Sequence, residues 1–358
     1  MTTSACATGR SPWLHDPRVE GPFVLGPPLL ATAVAVVWAS LDPDNLVVTP
    51  ILWLLLVVGI DVAHVYSTLY RTYLRDRERR ANRRLLLAIP LLGWVAGSVV
   101  HSMSAAAFWR TLAYVAVFHF VRQQYGFFRL YYRHDAETPR QRRVRAIAIY
   151  LATLWPLVYW HTHPRDFAWF MAGDFVMLDA PWLSDAVLVV YLAALAGHAW
   201  QEWGKWRRER TFNVPANLVL AGTALSWWLG IVVFDGDLVF TITNVVAHGI
   251  PYIALVWIDH RKSSAEGPLL RVTRKSVAMF VALLVALAFV EEALWDRLAW
   301  QKYDEFFGWL AFIPRLVRAE EKAWIVPLLA VPQLTHYVLD GFIWKVRGER
   351  AAWLTAYR

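Results

Sequence analysis

Four histidines, each set in a different apolar stretch, are the residues of this sequence best suited to metal chemistry. They are His64, His119, His248 and His336. If these stretches are membrane-spanning helices, a rise of about 1.5 Å per residue places the four histidines in one layer, between the midplane and the cytoplasmic half. Ionisable groups at that depth are costly and indicate function. We therefore expect the four side chains to converge on a shared metal or haem site.

Each of these histidines has a polar neighbour three or four residues away, on the same helical face. The pairs are Asp61 with His64, Gln123 with His119, Asn244 with His248 and Asp340 with His336. A metal-bound histidine needs its second ring nitrogen oriented, commonly by a carboxylate or an amide. Asp61 and Asp340 also have an alternative role as direct ligands, because histidines combined with a carboxylate suit non-haem Fe(II). The spacing leaves both roles open.

Three further residues close to the histidines are candidates for catalytic contact with a substrate. Arg122 lies one helical turn below His119. It is placed either to neutralise an anionic substrate head or to pair with one of the two aspartates. Tyr125 and Tyr337 are placed to line a cavity, although aromatic packing explains each of them equally well.

Helix-breaking and small residues accompany the histidines. Pro332 precedes the last of the four, Gly249 and Pro251 follow the third, and Gly126 follows the second. We expect the prolines to open their helices near the ligands and Gly126 to allow close helix approach. Broken helices beside buried polar residues are typical of a cavity.

The remaining histidines and the familiar motifs offer no competing site. His198 is predicted to hydrogen-bond between helices near the inner interface, and His161 with His163 to lie in a solvated turn. The sequence lacks the HxxxH clusters of membrane desaturases, and also HExxH, GxSxG, a P-loop and GxGxxG. The single cysteine, Cys6, excludes an internal disulfide, a CxxC pair and a cysteine-built iron–sulfur site.

Composition indicates a multi-pass membrane protein. The 358 residues are 58% hydrophobic and 18% charged, whereas globular domains are about half apolar and a quarter charged. Apolar stretches long enough to span a bilayer lie at 22–41, 49–70, 85–102, 108–130, 145–162, 182–203, 215–234, 239–258, 276–293 and 323–344. We predict an all-α, polytopic membrane bundle of about ten transmembrane helices. It forms a single domain, 22–344, between an N-terminal segment, 1–21, and a basic tail, 345–358.

Arginine-rich connections alternate with connections poor in cations, and this predicts that both termini are cytoplasmic. The net charge of +8 therefore reflects topology and attraction to anionic membrane lipid, with no nucleic-acid partner. We expect an integral protein of a bacterial inner (cell) membrane. Two outer connections, 163–181 and 294–313, are longer than topology requires. They are predicted to be interfacial helices that either cap the bundle or gate the entry of a lipid-soluble substrate.

Several fragments resemble the bacterial Brp/Blh-like β-carotene 15,15′-dioxygenases. They are Gly59-Ile-Asp-Val-Ala-His64, Phe118-His119-Phe120, Ala247-His248 and the Pro332–Asp340 segment. The resemblance implies iron-dependent O₂ chemistry on an apolar substrate taken from the bilayer. This chain departs from the family in having more helices and in the Val-Arg-Gln-Gln-Tyr-Gly sequence that follows Phe120, so its substrate need not be the same.

The leading hypothesis is a membrane-embedded, non-haem metal oxygenase or oxidase that uses iron (Fe²⁺). The four histidines are its ligands, and Asp61 or Asp340 either ligates or orients. Its partners would be a lipid-soluble small molecule, O₂ and an electron-donor protein. One alternative is a b-type haem protein for electron transfer, because histidines on separate helices ligate haem axially. The other is a proton-coupled transporter with the two aspartates and Arg122 in its relay.

Overall fold

The described residues of the protein, seen in a computed structural model, are 11–43, 45–165, 167, 173–263 and 267–343. The described residues are 81% helical and contain no strand. This confirms the predicted all-α fold. The helices are α1 (Pro17–Leu41), α2 (Pro50–Arg71), α3 (Asp76–Ala81), α4 (Arg83–Met103), α5 (Ala105–Tyr131), α6 (Pro139–Thr162), α7 (Pro181–Glu209), α8 (Val214–Val233), α9 (Asp237–Lys262), α10 (Pro268–Lys275), α11 (Val277–Trp300), α12 (Asp304–Phe307), α13 (Ala319–Leu329) and α14 (Val331–Ile343).

Seven helices in the described part of the chain are long and apolar enough to cross a membrane: α1, α2, α4, α7, α8, α9 and α11. They support an integral membrane protein. The predicted count of ten is not confirmed, because three predicted spans fall on α5, on α6 and on the pair α13–α14. Arginines lie inside α5 and α6, while α13 has 11 residues and the described part of α14 has 13, fewer than the roughly 17 that a span needs. The side on which each terminus lies stays a prediction.

Local sequence chemistry explains where several helices begin. The hydroxyl of Thr49 accepts a hydrogen bond from the amide of Leu52, at 3.3 Å, and Pro50 occupies the first helical position of α2. At the start of α6, Thr138 and Gln141 form a reciprocal capping box, followed again by a proline. These side chains bond to amides that have no partner inside the helix, so they determine the residue at which each helix begins.

Two of the helices that carry the histidines change their hydrogen bonding just before the histidine. Trp53–Val62 in α2 and Thr241–Val246 in α9 are π-helical, and His64 and His248 follow within two residues. A π-helical turn contains more residues than an α-helical turn, so it rotates every later side chain relative to those before it. The direction in which the two histidines point therefore depends on these stretches.

Helices α2 and α9 pack closely at Gly249. A Cβ atom added to Gly249 would lie 2.8 Å from Cγ2 and 3.2 Å from the carbonyl oxygen of Ile60, so only glycine fits here. The prediction that Pro251 opens α9 was wrong, since α9 continues through it and its irregular stretch comes earlier. The prediction for Gly126 was also wrong, because a Cβ there would meet nothing within 4 Å. The helix is interrupted at Ala330, just before Pro332, since α13 ends at Leu329 and α14 begins at Val331.

The two long connections have different structures. Residues 294–313 continue α11 to Trp300 and then form α12 and a 3₁₀ turn, Gly308–Leu310. Trp53 stacks on Tyr303 there, with ring centroids 3.8 Å apart. The described residues from 163 to the start of α7 at Pro181 contain no helix, in contrast to the prediction; Trp169 and Phe170 lie outside the described residues. The basic tail and the first ten residues also lie outside them. The interfacial location of these segments stays a prediction.

Candidate metal centre

The structure brings the four histidines together from four helices. His64 comes from α2, His119 from α5, His248 from α9 and His336 from α14, and each is at most 3% exposed. One nitrogen atom of each ring belongs to a group in which all atoms lie within 4.8 Å of one another. We call this group the four-histidine cluster.

The spacing of the Nε2 atoms suits a shared metal ion. The distance is 3.1 Å from His64 to His248, 3.3 Å from His248 to His119 and 3.1 Å from His119 to His336. Metal–nitrogen bonds are about 2.0–2.1 Å long. With nitrogen–metal–nitrogen angles between those of square-planar and tetrahedral coordination, they place neighbouring ligand nitrogens about 2.9–3.4 Å apart. All three distances fall in that range.

Hydrogen bonding alone does not satisfy these contacts. The Nε2 atom of His119 is close to two other Nε2 atoms, and so is that of His248. A neutral imidazole nitrogen either donates one hydrogen bond or accepts one, so it cannot satisfy two such neighbours. One cation bound by all four nitrogens removes the conflict.

The four rings surround a common point. The rings of His64 and His119 face each other, with centroids 6.3 Å apart and planes 19° from parallel. His248 crosses both of these rings at 88° and 82°, and His336 crosses them at 81° and 64°. The imidazoles therefore alternate in orientation around the cluster, with their Nε2 atoms turned inward.

The two aspartates lie on the far side of the rings from the shared nitrogens. An oxygen of Asp61 is 3.5 Å from Nδ1 of His64. The two oxygens of Asp340 are 3.6 Å from Nδ1 of His119 and 3.8 Å from Nδ1 of His336. Of the two roles that the sequence left open, the geometry favours orientation of the rings over direct ligation.

Two neutral side chains, Thr68 and Tyr252, extend this support. Oγ1 of Thr68 lies 2.6 Å from Nδ1 of His336 and 3.2 Å from the hydroxyl of Tyr252. The Tyr252 hydroxyl in turn donates to Asp340. Thr68 follows His64 by four residues, so its position on the same helical face was a usable signal. Its partner, His336, lies on a distant helix and could not be predicted from this spacing.

The two amides predicted to orient rings bond elsewhere. The Nε2 atom of Gln123 donates to the backbone oxygen of His248, at 3.0 Å. The amide nitrogen of Asn244 lies 3.0 Å from the hydroxyl of Thr243. Both predicted pairings were therefore wrong, because each amide nitrogen donates to a backbone or side-chain oxygen and not to a ring. Within the described residues, the Nδ1 atoms of His64 and His248 are buried without a hydrogen-bond partner, so Asp61 lies near His64 without a hydrogen bond to it.

Of the three residues predicted to contact a substrate, only Tyr337 lies against the cluster. Its ring packs on that of His119, with centroids 4.9 Å apart and planes at 30°. Tyr125 stacks instead on Tyr150, at 4.7 Å. Arg122 is exposed, and its guanidinium donates to the hydroxyl of Tyr150. Of the two roles left open for Arg122, pairing with an aspartate is not the one observed, because its guanidinium contacts Tyr150.

The other histidines discussed lie apart from the cluster. Nε2 of His198 is 2.9 Å from the amide oxygen of Asn217, which is the interhelical contact expected from its position. Nε2 of His161 is 2.7 Å from the hydroxyl of Tyr114, so this side chain is held at a partly buried position. Among the described residues, the four-histidine cluster is the only group of histidine, cysteine or acidic side chains arranged to hold a metal.

Buried acids on α11 were not anticipated. Glu291 and Glu292 end a very apolar run and are 5% and 8% exposed. Glu291 accepts hydrogen bonds from Gln333 and from the indole of Trp295. Gln333 precedes His336 by three residues, so this contact fixes α14 against α11. The Glu-Glu pair within a predicted span was a signal that the sequence reading passed over.

Comparison with known proteins identifies no relative: no protein-family model, no curated protein and no solved structure matches the chain. The resemblance to Brp/Blh-like dioxygenases therefore stays a prediction.

Proposed function

We propose that this chain is a membrane-embedded metalloenzyme in which the four-histidine cluster holds one non-haem metal ion, with iron as the preferred metal. The observation that carries the proposal is the contact geometry of the Nε2 atoms. His119 and His248 each place one ring nitrogen 3.1–3.3 Å from two others. A shared cation accounts for that arrangement, and hydrogen bonding does not.

The donor set is consistent with a redox metal. It consists of imidazoles and contains no thiolate, which suits iron, copper or zinc, and four ligands leave up to two positions of an octahedral ion free. Bound iron would supply oxidation chemistry with O₂ as the co-substrate. The chain itself would orient the rings through Asp61 and Asp340 and exclude water from the site with Phe120 and Tyr337. The ring of Phe120 stacks on that of His248 at 3.8 Å.

The proposed reaction is the oxidation of a lipid-soluble small molecule that enters laterally from the bilayer. The seven apolar helices support a location inside a membrane, where such molecules dissolve. The wider proposal comprises ten spans with cytoplasmic termini in a bacterial inner membrane, an electron-donor protein as a partner, and chemistry of the Brp/Blh-like kind.

The haem alternative loses support at this site. In a bis-histidine haem, the two ligand nitrogens lie on opposite faces of a macrocycle. The Nε2 atoms of the four-histidine cluster are in contact with one another, so no macrocycle fits between them. An optical spectrum without a Soret band is therefore expected.

The direct test is metal analysis of detergent-purified protein, together with its optical spectrum. We expect one equivalent of metal in the wild type, and its loss in His248→Ala and His336→Ala. The matched control is His198→Ala, which removes a buried histidine outside the cluster and should retain the metal. Far-UV circular dichroism checks that each variant is folded. Equal metal content in all three variants would overturn the proposal, as would a Soret band.

A further inference from the structure

Arg122 is an exposed cation in apolar surroundings. Phe118, one turn away on the same face of α5, is 64% exposed. On the adjacent α6, Ile147 and Leu154 are 46% and 40% exposed. Exposed apolar side chains on a membrane bundle face lipid, and a charge placed among them is costly unless it is compensated.

The contacts of Arg122 leave its charge without a countercharge. Its guanidinium donates to the hydroxyl of Tyr150 and lies over the ring of Tyr125, 5.2 Å from the centroid. Both partners are neutral phenols, and they stack on each other. No carboxylate of the described residues forms an ion pair with Arg122. The site thus offers a cation and an aromatic wall to an anion from outside.

Open space lies near this cation at Gly126, and we call it the crevice. At 100° per residue, Arg122 lies about 60° around α5 from His119, and Gly126 lies between them in direction. A Cβ on Gly126 would meet nothing within 4 Å. The surface of α5 is therefore free of side-chain contact about one turn along the helix beyond Arg122, on the side away from His119.

We propose that Arg122, Tyr125 and Tyr150 bind the oxyanion head of an amphipathic molecule whose apolar tail lies in the crevice at Gly126. The head is a carboxylate or a phosphate, which the guanidinium recognises by charge-assisted hydrogen bonds. This binding site lies apart from the four-histidine cluster and does not rest on the proposed function. Its ligand class is a long-chain oxyanion amphiphile.

The test uses cis-parinaric acid, a fluorescent long-chain carboxylic acid, and its uncharged methyl ester, with purified full-length protein. The wild type should bind the carboxylate about tenfold more tightly than the ester, the factor for one charge-assisted hydrogen bond. Arg122→Gln should abolish the preference and Arg122→Lys should keep part of it. The control is Arg80→Gln, an exposed arginine of α3, which should change nothing. Equal binding of acid and ester by the wild type, or an unchanged preference in Arg122→Gln, would overturn the proposal.

Competition identifies the source of the oxyanion. Displacement of the probe by oleate, dependent on Arg122, supports a carboxylate ligand. Displacement by phosphatidylglycerol with the same dependence supports a lipid phosphate. If oleate and phosphatidylglycerol each displace the probe equally from the wild type and from Arg122→Gln, the result contradicts the site.

A second variant tests the crevice. Gly126→Leu fills the open space without a clash and improves helix propensity, so the fold should tolerate it. We expect weaker probe binding with unchanged metal content, and unchanged binding would contradict the assigned crevice. Metal analysis of the same samples separates the two proposals. A carboxylate preference without bound metal would leave this site standing and refute the metal centre, while metal without a preference would do the reverse.

Discussion

At the scale of single residues, Asp340 has the most consequential position after the histidines. One carboxylate faces Nδ1 of both His119 and His336, which belong to different helices. It also accepts a hydrogen bond from the hydroxyl of Tyr252. Asp340 therefore sets the orientation of half of the four-histidine cluster, whereas Asp61 faces only His64.

Replacing Asp340 by Asn should lower metal affinity about 10–100-fold, the usual cost of losing a carboxylate that orients a ligand. Asn keeps the size and an oxygen for Tyr252, so the fold should persist. Asp61→Asn should lower metal affinity less, because Asp61 faces only one ring. Chelator-competition titration measures both affinities, with the exposed Asp76→Asn as the control. An unchanged affinity in Asp340→Asn would show that the carboxylate does not position the rings.

The sequence identified the four histidines correctly as a group because an ionisable side chain in an apolar stretch is costly and rare. It assigned their partners less well. Spacing along one helix compares only residues three or four apart, while the actual support crosses helices: Thr68 contacts His336 from 268 residues away. The same limit explains why the two amides were paired with the wrong groups.

At the scale of helices, the cluster depends on irregular segments that periodicity does not reveal. The π-helical stretches before His64 and His248 rotate both side chains. An ideal 3.6-residue period therefore gives the wrong face after each of them. The existence of the helices was predictable from apolar runs and caps, but the rotation depends on packing between α2 and α9.

Gly249→Ala tests that packing. The added Cβ would lie 2.8 Å from Cγ2 and 3.2 Å from the backbone oxygen of Ile60, so α2 and α9 must separate. Overpacking of this kind costs about 1–3 kcal/mol, and here it moves His64 away from His248. We expect lower thermal stability and weaker metal binding, measured by thermal unfolding in detergent and by metal titration. Gly126→Ala, where the Cβ has open space, is the matched control. Equal metal affinity in both variants would contradict the role of this contact.

At the scale of the whole molecule, composition predicted the class of protein but not its number of spans. Hydropathy identifies helices that are apolar along their length, and seven meet that condition. The helix that carries His119 does not, and the described part of α14, which carries His336, is shorter than a span. His119 belongs to the cluster and also lowers the hydropathy of α5, so a residue that makes a site can weaken the signal by which a span is recognised.

The cluster also joins α2, α5, α9 and α14, so a bound ion should stabilise the whole bundle. Free metal at 100 times its dissociation constant adds about 2.7 kcal/mol to the free energy of unfolding. Dialysis of the detergent-solubilised protein against a chelator should therefore lower its midpoint of thermal unfolding by a few degrees, and metal addition should restore it. His198→Ala should show the same dependence on metal, because its ring bonds Asn217 outside the cluster. His248→Ala should unfold at one temperature with or without chelator, since it lacks a nitrogen that contacts two others. If the chelator leaves the wild-type midpoint of thermal unfolding unchanged, then no ion holds these four helices together.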